Sequence, residues 1–378
     1  MIQRVINLQK LLKPKKVFIL YGARRVGKTT ILEDFLLKTK LKYRIDSGDN
    51  MRIQHLFNSQ DATIIAEYAE GYDLIAIDEA QQIKNIGMAL KMFIDHNPRL
   101  KIVVTGSSSF NLSQSVGEPL TGRKKTVILY PLSLLELRSL YNKQELREQL
   151  EMFLLYGMYP EIITTKKKIE KIELLRELVD SYLLKDILSI EKIKGSKQLF
   201  DLLKLLAFQI GNEVSLTELA SQVRLDVKTV ARYMDILEKG FVIKRIGAFS
   251  RNLRKEVASK AKYYFYDVGI RNAVISQFNA LSDRNDVGGL FENFIVMERL
   301  KANSYLNRIG ETFFWRTYDG QEIDIIEERN GKLFGYEIKW SEKATLRTPR
   351  IWKETYPNST LKLVNKENFF SYIFEGIR

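Results

Sequence analysis

Cysteine is absent from the 378-residue sequence, and histidine occurs only twice, at His55 and His96. Without cysteine the chain forms neither disulfide bonds nor zinc-finger sites, and the two histidines have no clustered partners in the sequence. Any metal ion is therefore expected to be a hard cation held by oxygen ligands, and magnesium is the first choice. The lack of cysteine also favours a cytoplasmic setting.

Long hydrophobic runs are missing as well. The run from Val17 to Tyr21 has the length of a strand, far below the roughly 18 apolar residues that a membrane-spanning helix requires. The first residues, MIQRVINLQKLLKPKK, lack a continuous apolar stretch and a small-residue cleavage site, so we expect no signal peptide. The sequence predicts a cytoplasmic protein that does not associate with membranes.

Positive charge is in excess. Sixty Lys and Arg residues against forty-six Asp and Glu residues give a net charge of +14 and a pI of about 9.5. This balance favours polyanionic partners and makes nucleic acid a candidate, although a charge that serves only solubility is the alternative. The hydrophobic fraction of 45% is ordinary for a globular protein, and the chain length predicts two or three domains.

The hydrophobic pattern predicts an α/β protein with four segments. Short β-type runs alternate with helical stretches at 1–130, which is typical of a parallel sheet with helices on its faces. We expect its strands at 17–22, 42–46, 73–78, 101–106 and 125–130. A helical lid or linker follows at 131–198, then a helix-turn-helix with a wing at 199–270, and an α/β segment at 271–378.

The segment from Gly22 to Thr29, GARRVGKT, fits the phosphate-loop pattern G-x-x-x-x-G-K-[ST]. An apolar strand precedes it and an amphipathic helix follows it, which is the context such a loop needs. The two glycines allow backbone N–H groups to point at phosphate, and the helix that follows adds its positive end. The alternative is a glycine turn with a chance GKT. The residues expected to bind ATP here are Gly22, Ala23, Arg24, Arg25, Val26, Gly27, Lys28, Thr29 and Thr30.

Two acidic residues are expected to complete the nucleotide site. Asp78 and Glu79 follow the apolar run from Leu74 to Ile77, and the carboxyl end of a parallel strand is where ligands bind in such sheets. We expect Lys28 to reach the β- and γ-phosphates, and Thr29 and Asp78 to hold Mg²⁺. Glu79 has the position of a general base that deprotonates water, which favours hydrolysis over passive binding.

Polar residues near the next two strands are further candidates. Thr105 lies near the end of the strand KIVVTG and Ser107 follows that strand, where they either contact the γ-phosphate or cap the next helix. Arg123 precedes the last strand of the sheet, and an arginine there can neutralise transition-state charge in its own site or in that of a neighbouring subunit. A solvated basic face with Lys124 and Lys125 is the alternative for Arg123.

The sequence resembles a prokaryotic group of AAA-type ATPases that carry a carboxy-terminal companion domain of unassigned role. The resemblance rests on GARRVGKTT, IAIDEAQ, VVTGSSS, a TGR before a strand and LLYGMYPEI. In the companion part it rests on YLLKDI, LLKLLAFQIG, KYYFYDVGI, GLFENF and FWRTYDGQEIDIIEE. It implies ATP binding and hydrolysis over nearly the whole chain. Ala23 departs from the group, because proline is frequent at that position.

A helix-turn-helix is expected between residues 215 and 239. Ser215 and Glu218 form a capping-box pattern for a first helix through Val223, and Asp226 precedes a second helix from Val227 to Lys239. The strands FVIKRI at 241–246 and KYYFY at 262–266 are expected to form a wing. This arrangement favours binding to double-stranded DNA, and a winged helix packed as a lid is the alternative. The candidate DNA contacts are Lys228, Arg232, Arg251, Arg254 and Lys255.

The last segment carries paired acidic residues. Asn330-Gly331 predicts a two-residue hairpin turn that places Asp324 opposite Glu337, with Lys339 on the same face. Opposed carboxylates repel one another unless a cation compensates, so Asp324 and Glu337 are candidate Mg²⁺ ligands, and Lys339 is a candidate for stabilising a pentavalent phosphate.

With Glu292 on a preceding helix, these residues resemble the PD-(D/E)xK pattern of restriction-endonuclease-like folds, which implies a catalytic role for all four. A solvated charged strand face is the alternative. The leading hypothesis is therefore an ATP-dependent, DNA-acting protein with a nuclease-like carboxy-terminal domain. The rival is a nucleotide-controlled switch whose last domain binds a partner without cleaving nucleic acid.

Overall fold

The computed structural model describes residues 2–107, 119–181, 196–250, 261–318 and 320–375. The chain divides into two compact units. The amino-terminal unit comprises Gln3–Pro131 together with Lys239–Phe241, and the carboxy-terminal unit comprises Leu132–Glu238 and Val242–Arg378. The division falls at Pro131, and the predicted segments 131–198, 199–270 and 271–378 stay predictions. No helix in the described ranges has the length and apolarity that crossing a membrane requires.

The amino-terminal unit alternates strands with helices, as the hydrophobic pattern predicts. A short 3-10 helix, Ala80–Gln82, follows its third strand. Its elements in chain order are α1 (Leu8–Leu11), β1 (Val17–Tyr21), α2 (Lys28–Lys38), β2 (Tyr43–Ser47), α3 (Met51–Asn58), α4 (Ala62–Ala69), β3 (Leu74–Asp78), α5 (Ile86–His96), β4 (Lys101–Gly106) and β5 (Lys124–Ile128).

The five strands form one parallel sheet in the order β2-β3-β4-β1-β5. Every residue of β1, which lies between β4 and β5, is buried, and this explains why its sequence is a continuous apolar run and not an alternating one. The predicted parallel α/β core and its five strands are therefore confirmed. All five strands point the same way, so the loops after β1, β3 and β4 lie at the same edge of the sheet.

The carboxy-terminal unit begins with helices and continues into a mixed α/β part. Several of its helices are short, and a 3-10 helix at Leu281–Asp283 precedes the longest one. The helices are α6 (Leu134–Leu137), α7 (Lys143–Glu148), α8 (Leu150–Tyr156), α9 (Pro160–Thr164), α10 (Lys168–Leu178), α11 (Ser196–Phe208), α12 (Leu216–Val223), α13 (Val227–Lys239), α14 (Val268–Val274), α15 (Val287–Tyr305), α16 (Arg350–Thr355) and α17 (Phe369–Ile373).

The helices α12 and α13 have the predicted positions and caps. The Ser215 side chain accepts from the N–H of Glu218, and Asp226 accepts from the N–H of Thr229 at 2.9 Å. These bonds satisfy N–H groups that the first turn of a helix leaves without a partner. The start of each helix could therefore be predicted from its capping residue.

Seven strands form the second sheet, in the order β12-β11-β10-β9-β7-β8-β6. The strands are β6 (Glu213–Val214), β7 (Ile243–Ala248), β8 (Ala261–Phe265), β9 (Glu311–Arg316), β10 (Glu322–Arg329), β11 (Lys332–Ile338) and β12 (Thr360–Val364). Helix α15 packs against both β8 and β11.

The hairpin of β10 and β11 has the predicted register. Ile325 pairs with Tyr336, and Arg329 pairs with Lys332. Asn330 and Gly331 both have positive φ angles, 51° and 73°, as a two-residue turn of this kind requires. The predicted alignment of the two strands is therefore confirmed over the paired residues.

The two strands of the predicted wing have an additional neighbour in the sheet that the sequence does not predict. Strands β7 and β8 do form an antiparallel pair, but the other edge of β7 pairs in parallel with β9 at Gly247 and Ala248. The β7–β8 pair is thus part of the seven-stranded sheet, and residues 251–260, between its strands, lie outside the described ranges. The prediction missed this because short-range pattern shows which neighbouring strands pair, while the pairing of β7 with β9 joins distant parts of the chain.

Candidate functional site

The phosphate loop joins β1 to α2 with no room for larger residues at its first position. A Cβ on Gly22 would lie 2.2 Å from the carbonyl oxygen of Leu129, so a side chain there is excluded. Gly27 has a φ of 96° and precedes α2 without a side-chain cap. The N–H groups in the first turn of α2 therefore remain available to an anion, and the helix dipole favours negative charge at that end.

Lys28 is held inside this loop. Its side chain is buried, and its Nζ donates to the carbonyl oxygens of Gly22 at 3.0 Å and Ala23 at 2.8 Å. Burial lowers the pKa of Lys28 to about 8, although the carboxylates of Glu79 and Asp78 act in the opposite direction. Binding of a phosphate would replace carbonyl partners with charged oxygens, which hold an ammonium group more strongly.

Asp78 connects three elements at the edge of the sheet. The Thr29 hydroxyl donates to its Oδ2 at 2.7 Å, the Thr105 hydroxyl donates to its Oδ1, and the Glu79 N–H donates to Oδ1 at 3.0 Å. A hydroxyl and a carboxylate within hydrogen-bond distance are the hard oxygen donors that Mg²⁺ prefers. The residues predicted to hold Mg²⁺, Thr29 and Asp78, therefore fit that ion.

Glu79 lies beside a partner that the sequence analysis missed. The side-chain amide of Gln81 donates to the Glu79 carboxylate and also to the Ser107 hydroxyl at 3.0 Å, and the Ser107 N–H donates back to the Gln81 carbonyl at 3.3 Å. Glu79 itself has a φ of 48°, and Gly48 makes room for its carbonyl group. An amide two residues after the acidic pair is the sequence signal for this contact.

Arg4 is a second residue that sequence reasoning missed. Its guanidinium donates to the carbonyl oxygen of Val26 at 2.7 Å and to that of Tyr130 at 2.6 Å. It thus joins the phosphate loop to the residues that follow β5. No local pattern marks this arginine, because its partners lie 22 and 126 residues away in the chain.

Arg123 lies at the wrong edge of the sheet for a role in its own site. Lys124 pairs with Val17, at the start of β1, and Ile128 pairs with Tyr21, next to the phosphate loop. Four residue steps along a parallel strand separate these edges by about 13 Å. Arg123 forms an ion pair with Asp95 instead. The alternative in which Arg123 serves its own site is therefore wrong, and the alternative of a neighbouring subunit stays a prediction.

The carboxy-terminal unit brings the four predicted acidic and basic residues together. Asp324 Oδ2 accepts from the Ile338 N–H at 2.8 Å, and Lys339 Nζ lies 2.6 Å from Glu337 Oε1 and 3.4 Å from Asp324 Oδ2. Asp324 and Glu337 thus share a face, as the register predicts. Glu292 reaches the same place from α15 and is buried.

Lys262, on β8, is the central cation of this cluster, and the sequence analysis did not include it. Its Nζ lies 2.6 Å from Glu322 Oε1, 3.1 Å from Glu292 Oε1 and 3.6 Å from Asp324 Oδ1. The Tyr264 hydroxyl donates to Glu292 Oε1 at 2.7 Å. We call Lys262, Glu292, Glu322, Asp324, Glu337 and Lys339 the carboxylate cluster.

The charges in the carboxylate cluster affect one another. Burial, together with the charge of Asp324, raises the pKa of Glu292 to about 7, while Lys262 and Tyr264 oppose this shift. Burial and Asp324 likewise raise the pKa of Glu337. Burial would lower the pKa of Lys339, but the carboxylates of Asp324 and Glu337 outweigh it and raise that pKa.

The role of Asp324 and Glu337 as Mg²⁺ ligands stays a prediction, and the structure adds a cation beside Asp324. Within the described ranges no group of three or more His, Cys, Asp or Glu side chains is placed to hold a metal ion. The prediction considered the repulsion between Asp324 and Glu337 and did not include Lys262, whose ammonium group lies 3.6 Å from Asp324 Oδ1.

The structure describes two of the five residues predicted to contact DNA. Lys228 and Arg232 are exposed and lie one turn apart on α13, so both belong to one face of that helix. The opposite face contains the buried side chains of Val230, Tyr233 and Leu237. The other three predicted contacts, Arg251, Arg254 and Lys255, lie outside the described residues.

Comparison with known families separates the chain into three parts. Residues 14–138 match a family described as AAA domain. Residues 147–281 and 287–372 match two families described as domains of unknown function, DUF8612 and DUF4143. The AAA-domain match includes the phosphate loop, Asp78 and Glu79, and it supports an AAA-type ATPase.

Relatives that align with most of this chain occur in a bacterium and in an archaeon. An uncharacterized protein of Mycobacterium tuberculosis is 26% identical over 340 residues, which cover 88% of this chain and 72% of the relative. An uncharacterized protein of Methanocaldococcus jannaschii is 25% identical over 396 residues, covering 99% of this chain and 86% of the relative. A solved structure of a DNA replication initiation factor aligns with 59% of this chain and 82% of its own, at 18% identity and a TM-score of 0.25.

Proposed function

We propose that the AAA-type domain hydrolyses ATP with Mg²⁺ and that the chain uses this reaction to act on double-stranded DNA. The observation that carries the ATPase part is the convergence of Lys28, Thr29, Asp78 and Glu79 at one edge of the parallel sheet. Binding alone requires the phosphate loop, whereas a carboxylate beside the Mg²⁺ ligands provides the base that hydrolysis needs.

Each residue of the nucleotide site has a distinct task in this proposal. The N–H groups at the start of α2 and the Lys28 ammonium bind the phosphates, and Thr29 and Asp78 hold the metal ion. Glu79 orients the attacking water and accepts its proton, while Gln81 keeps the Glu79 carboxylate in place and links it to Ser107. When bound, Mg²⁺ would neutralise part of the negative charge that develops on the phosphate oxygens in the transition state.

The DNA part of the proposal rests on the exposed face of α13 and on net charge. Lys228 and Arg232 are exposed one turn apart, and the chain carries a charge of +14. An exposed basic helix that follows a short turn suits the phosphates and the major groove of a duplex. If Arg123 completes the nucleotide site of a neighbouring subunit, the active form is a homo-oligomer.

The carboxy-terminal unit has a nuclease-like set of residues, since Glu292, Asp324, Glu337 and Lys339 converge on one cluster. The rival function, binding of a partner without cleavage, is favoured by the position of Lys262 among the same carboxylates. An assay of plasmid cleavage with Mg²⁺ or Mn²⁺, with and without ATP, separates the two.

Phosphate release from ATP, measured with Mg²⁺ and with excess EDTA, tests the ATPase proposal directly. Turnover that depends on Mg²⁺ and rises when duplex DNA is added supports both parts. No turnover under either condition would contradict the ATPase part, and turnover that duplex DNA leaves unchanged, without any DNA binding, would contradict the DNA part.

A further inference from the structure

We propose that Lys262 takes the place of a divalent cation in the carboxylate cluster, so that the cluster is a metal-independent ion-pair network and does not hydrolyse nucleic acid. This inference concerns the carboxy-terminal unit and does not depend on ATP hydrolysis by the amino-terminal unit. It decides between the two functions considered for that unit in favour of binding without cleavage.

The position of the ammonium group is the first argument. Lys262 Nζ lies within 3.6 Å of carboxylate oxygens from three residues, Glu292, Glu322 and Asp324. These residues come from α15 and β10, so a single cation joins the helix to the hairpin. A metal ion shared by these carboxylates would need the same space, since it must also contact oxygens from both elements.

Burial is the second argument. The Lys262 side chain is only 1% exposed, whereas that of Lys339 is 45% exposed. A buried ammonium group is stabilised by its carboxylate partners. It cannot reach solvent unless the surrounding side chains move apart. Lys339 can move aside at little cost, but Lys262 cannot, and its positive charge would repel a divalent cation placed beside it.

The remaining oxygens of the cluster are the third argument. Glu292 Oε1 already accepts from the Tyr264 hydroxyl, and Asp324 Oδ2 already accepts from the Ile338 N–H and approaches Lys339. Protein donors thus hold the carboxylates that the nuclease-like pattern assigns to a metal. The pattern accounts for Glu292, Asp324, Glu337 and Lys339, and it does not contain Lys262.

The experiment counts bound Mn²⁺ by electron paramagnetic resonance, without nucleotide, in the full chain. Asp78→Asn is present in every variant, because it removes a metal ligand from the amino-terminal unit. We expect no bound Mn²⁺ in this parent at millimolar concentrations. Lys262→Met, which keeps the length of the side chain and removes its charge, should bind one ion per chain. Adding Asp324→Asn to Lys262→Met should abolish that binding, and Lys262→Arg should not bind.

Two outcomes would overturn the proposal. In the first, the parent binds Mn²⁺ and the added Asp324→Asn substitution abolishes this binding. The Lys262 ammonium group would then fail to exclude the ion. The second is a folded Lys262→Met variant, with a melting transition like that of the parent, that still binds no Mn²⁺. If Lys262→Met does not fold, Lys262→Gln takes its place, and the parent titration with and without Asp324→Asn already decides whether the native cluster accepts a metal.

Discussion

The Thr29 hydroxyl donates to Asp78 Oδ2 at 2.7 Å, across 49 residues of sequence. This bond joins the first turn of α2 to the end of β3, two elements that the parallel sheet holds in fixed positions. The two groups expected to hold Mg²⁺ are therefore adjacent in the folded chain, and the packing of the sheet fixes the elements that carry them.

Glu79→Gln should retain ATP binding and lose at least about 100-fold in turnover, because the amide keeps the shape of the side chain but cannot accept a proton. Lys28→Ala should lose binding as well, since the phosphate charge is then left without its ammonium partner. Phosphate release and titration with a fluorescent ATP analogue measure the two effects. Glu33→Gln, an exposed change on α2, is the matched control. Normal turnover in Glu79→Gln would mean that another group is the base.

Gln81→Ala should lower kcat by about tenfold and leave KM nearly unchanged, because Gln81 donates to the Glu79 carboxylate and positions it. Gln82→Ala, an exposed change in the same 3-10 helix, serves as the control. Steady-state kinetics over a range of ATP concentrations separates the two parameters. An increase in KM at constant kcat would show that Gln81 acts on nucleotide binding instead.

Lys228→Ala combined with Arg232→Ala should weaken duplex binding and flatten its dependence on salt. Each phosphate contact contributes about −0.9 to the log–log slope of affinity against salt, so the slope should change by roughly two units. Fluorescence anisotropy with labelled duplex measures it. Lys143→Ala with Lys166→Ala removes the same charge from exposed positions elsewhere and should leave the slope almost unchanged. Equal effects of both pairs would indicate a response to net charge alone.

The same titration tests the predicted contacts at Arg254 and Lys255. Their joint removal should also flatten the slope by roughly two units if both meet phosphates. Duplex binding that is weak and independent of salt in the unmodified chain would contradict the predicted contacts and favour a lid or protein-docking role for α12 and α13.

Asp286→Asn should destabilise the carboxy-terminal unit by about 3 kcal/mol at pH 7, because it leaves the buried guanidinium groups of Arg271 and Arg284 without their carboxylate. Burial alone would raise the pKa of Asp286, but hydrogen bonds and charges from Arg284 and Arg271 lower it to about 2. Unfolding in urea, followed by circular dichroism, measures the loss. Asp283→Asn, at an exposed position nearby, is the control.

The effect of Asp286→Asn should depend on pH with a defined sign. A carboxyl group whose pKa is lower in the folded state stabilises the fold above its unfolded pKa of about 4, and that contribution is lost as the pH falls toward 2. The difference between the native chain and the variant should therefore be largest at neutral pH and should narrow below pH 4. A difference that stays constant across this range would mean that the carboxylate charge is not what stabilises the unit.

Local chemistry explains which features could be predicted from the sequence. The apolar runs of the parallel strands, the capping residues Ser215 and Asp226, and the turn at Asn330-Gly331 each act over a few residues, so their consequences are visible in the sequence. The turn fixes the register of the hairpin, and the register alone predicts that Asp324 and Glu337 lie on one face of the sheet.

Long-range packing explains what the sequence did not reveal. Two strands separate β8 from β10 in the sheet, yet the long side chain of Lys262 still reaches Asp324 because the sheet packs around α15. The sequence places Arg123 just before a strand, but only the pairing of β5 with β1 shows at which edge of the sheet that strand begins. Both facts depend on pairings between distant segments.

The two carbonyl contacts of Arg4 have a mechanical consequence. Arg4 joins Val26 in the phosphate loop to Tyr130, and Gly22 at the start of the loop is pressed against Leu129, so both ends of the loop are attached to the stretch that follows β5. Movement of the loop at Val26 therefore requires either that an Arg4 bond breaks or that Tyr130 moves as well, so the loop and the residues after β5 behave as one mechanical element of the amino-terminal unit.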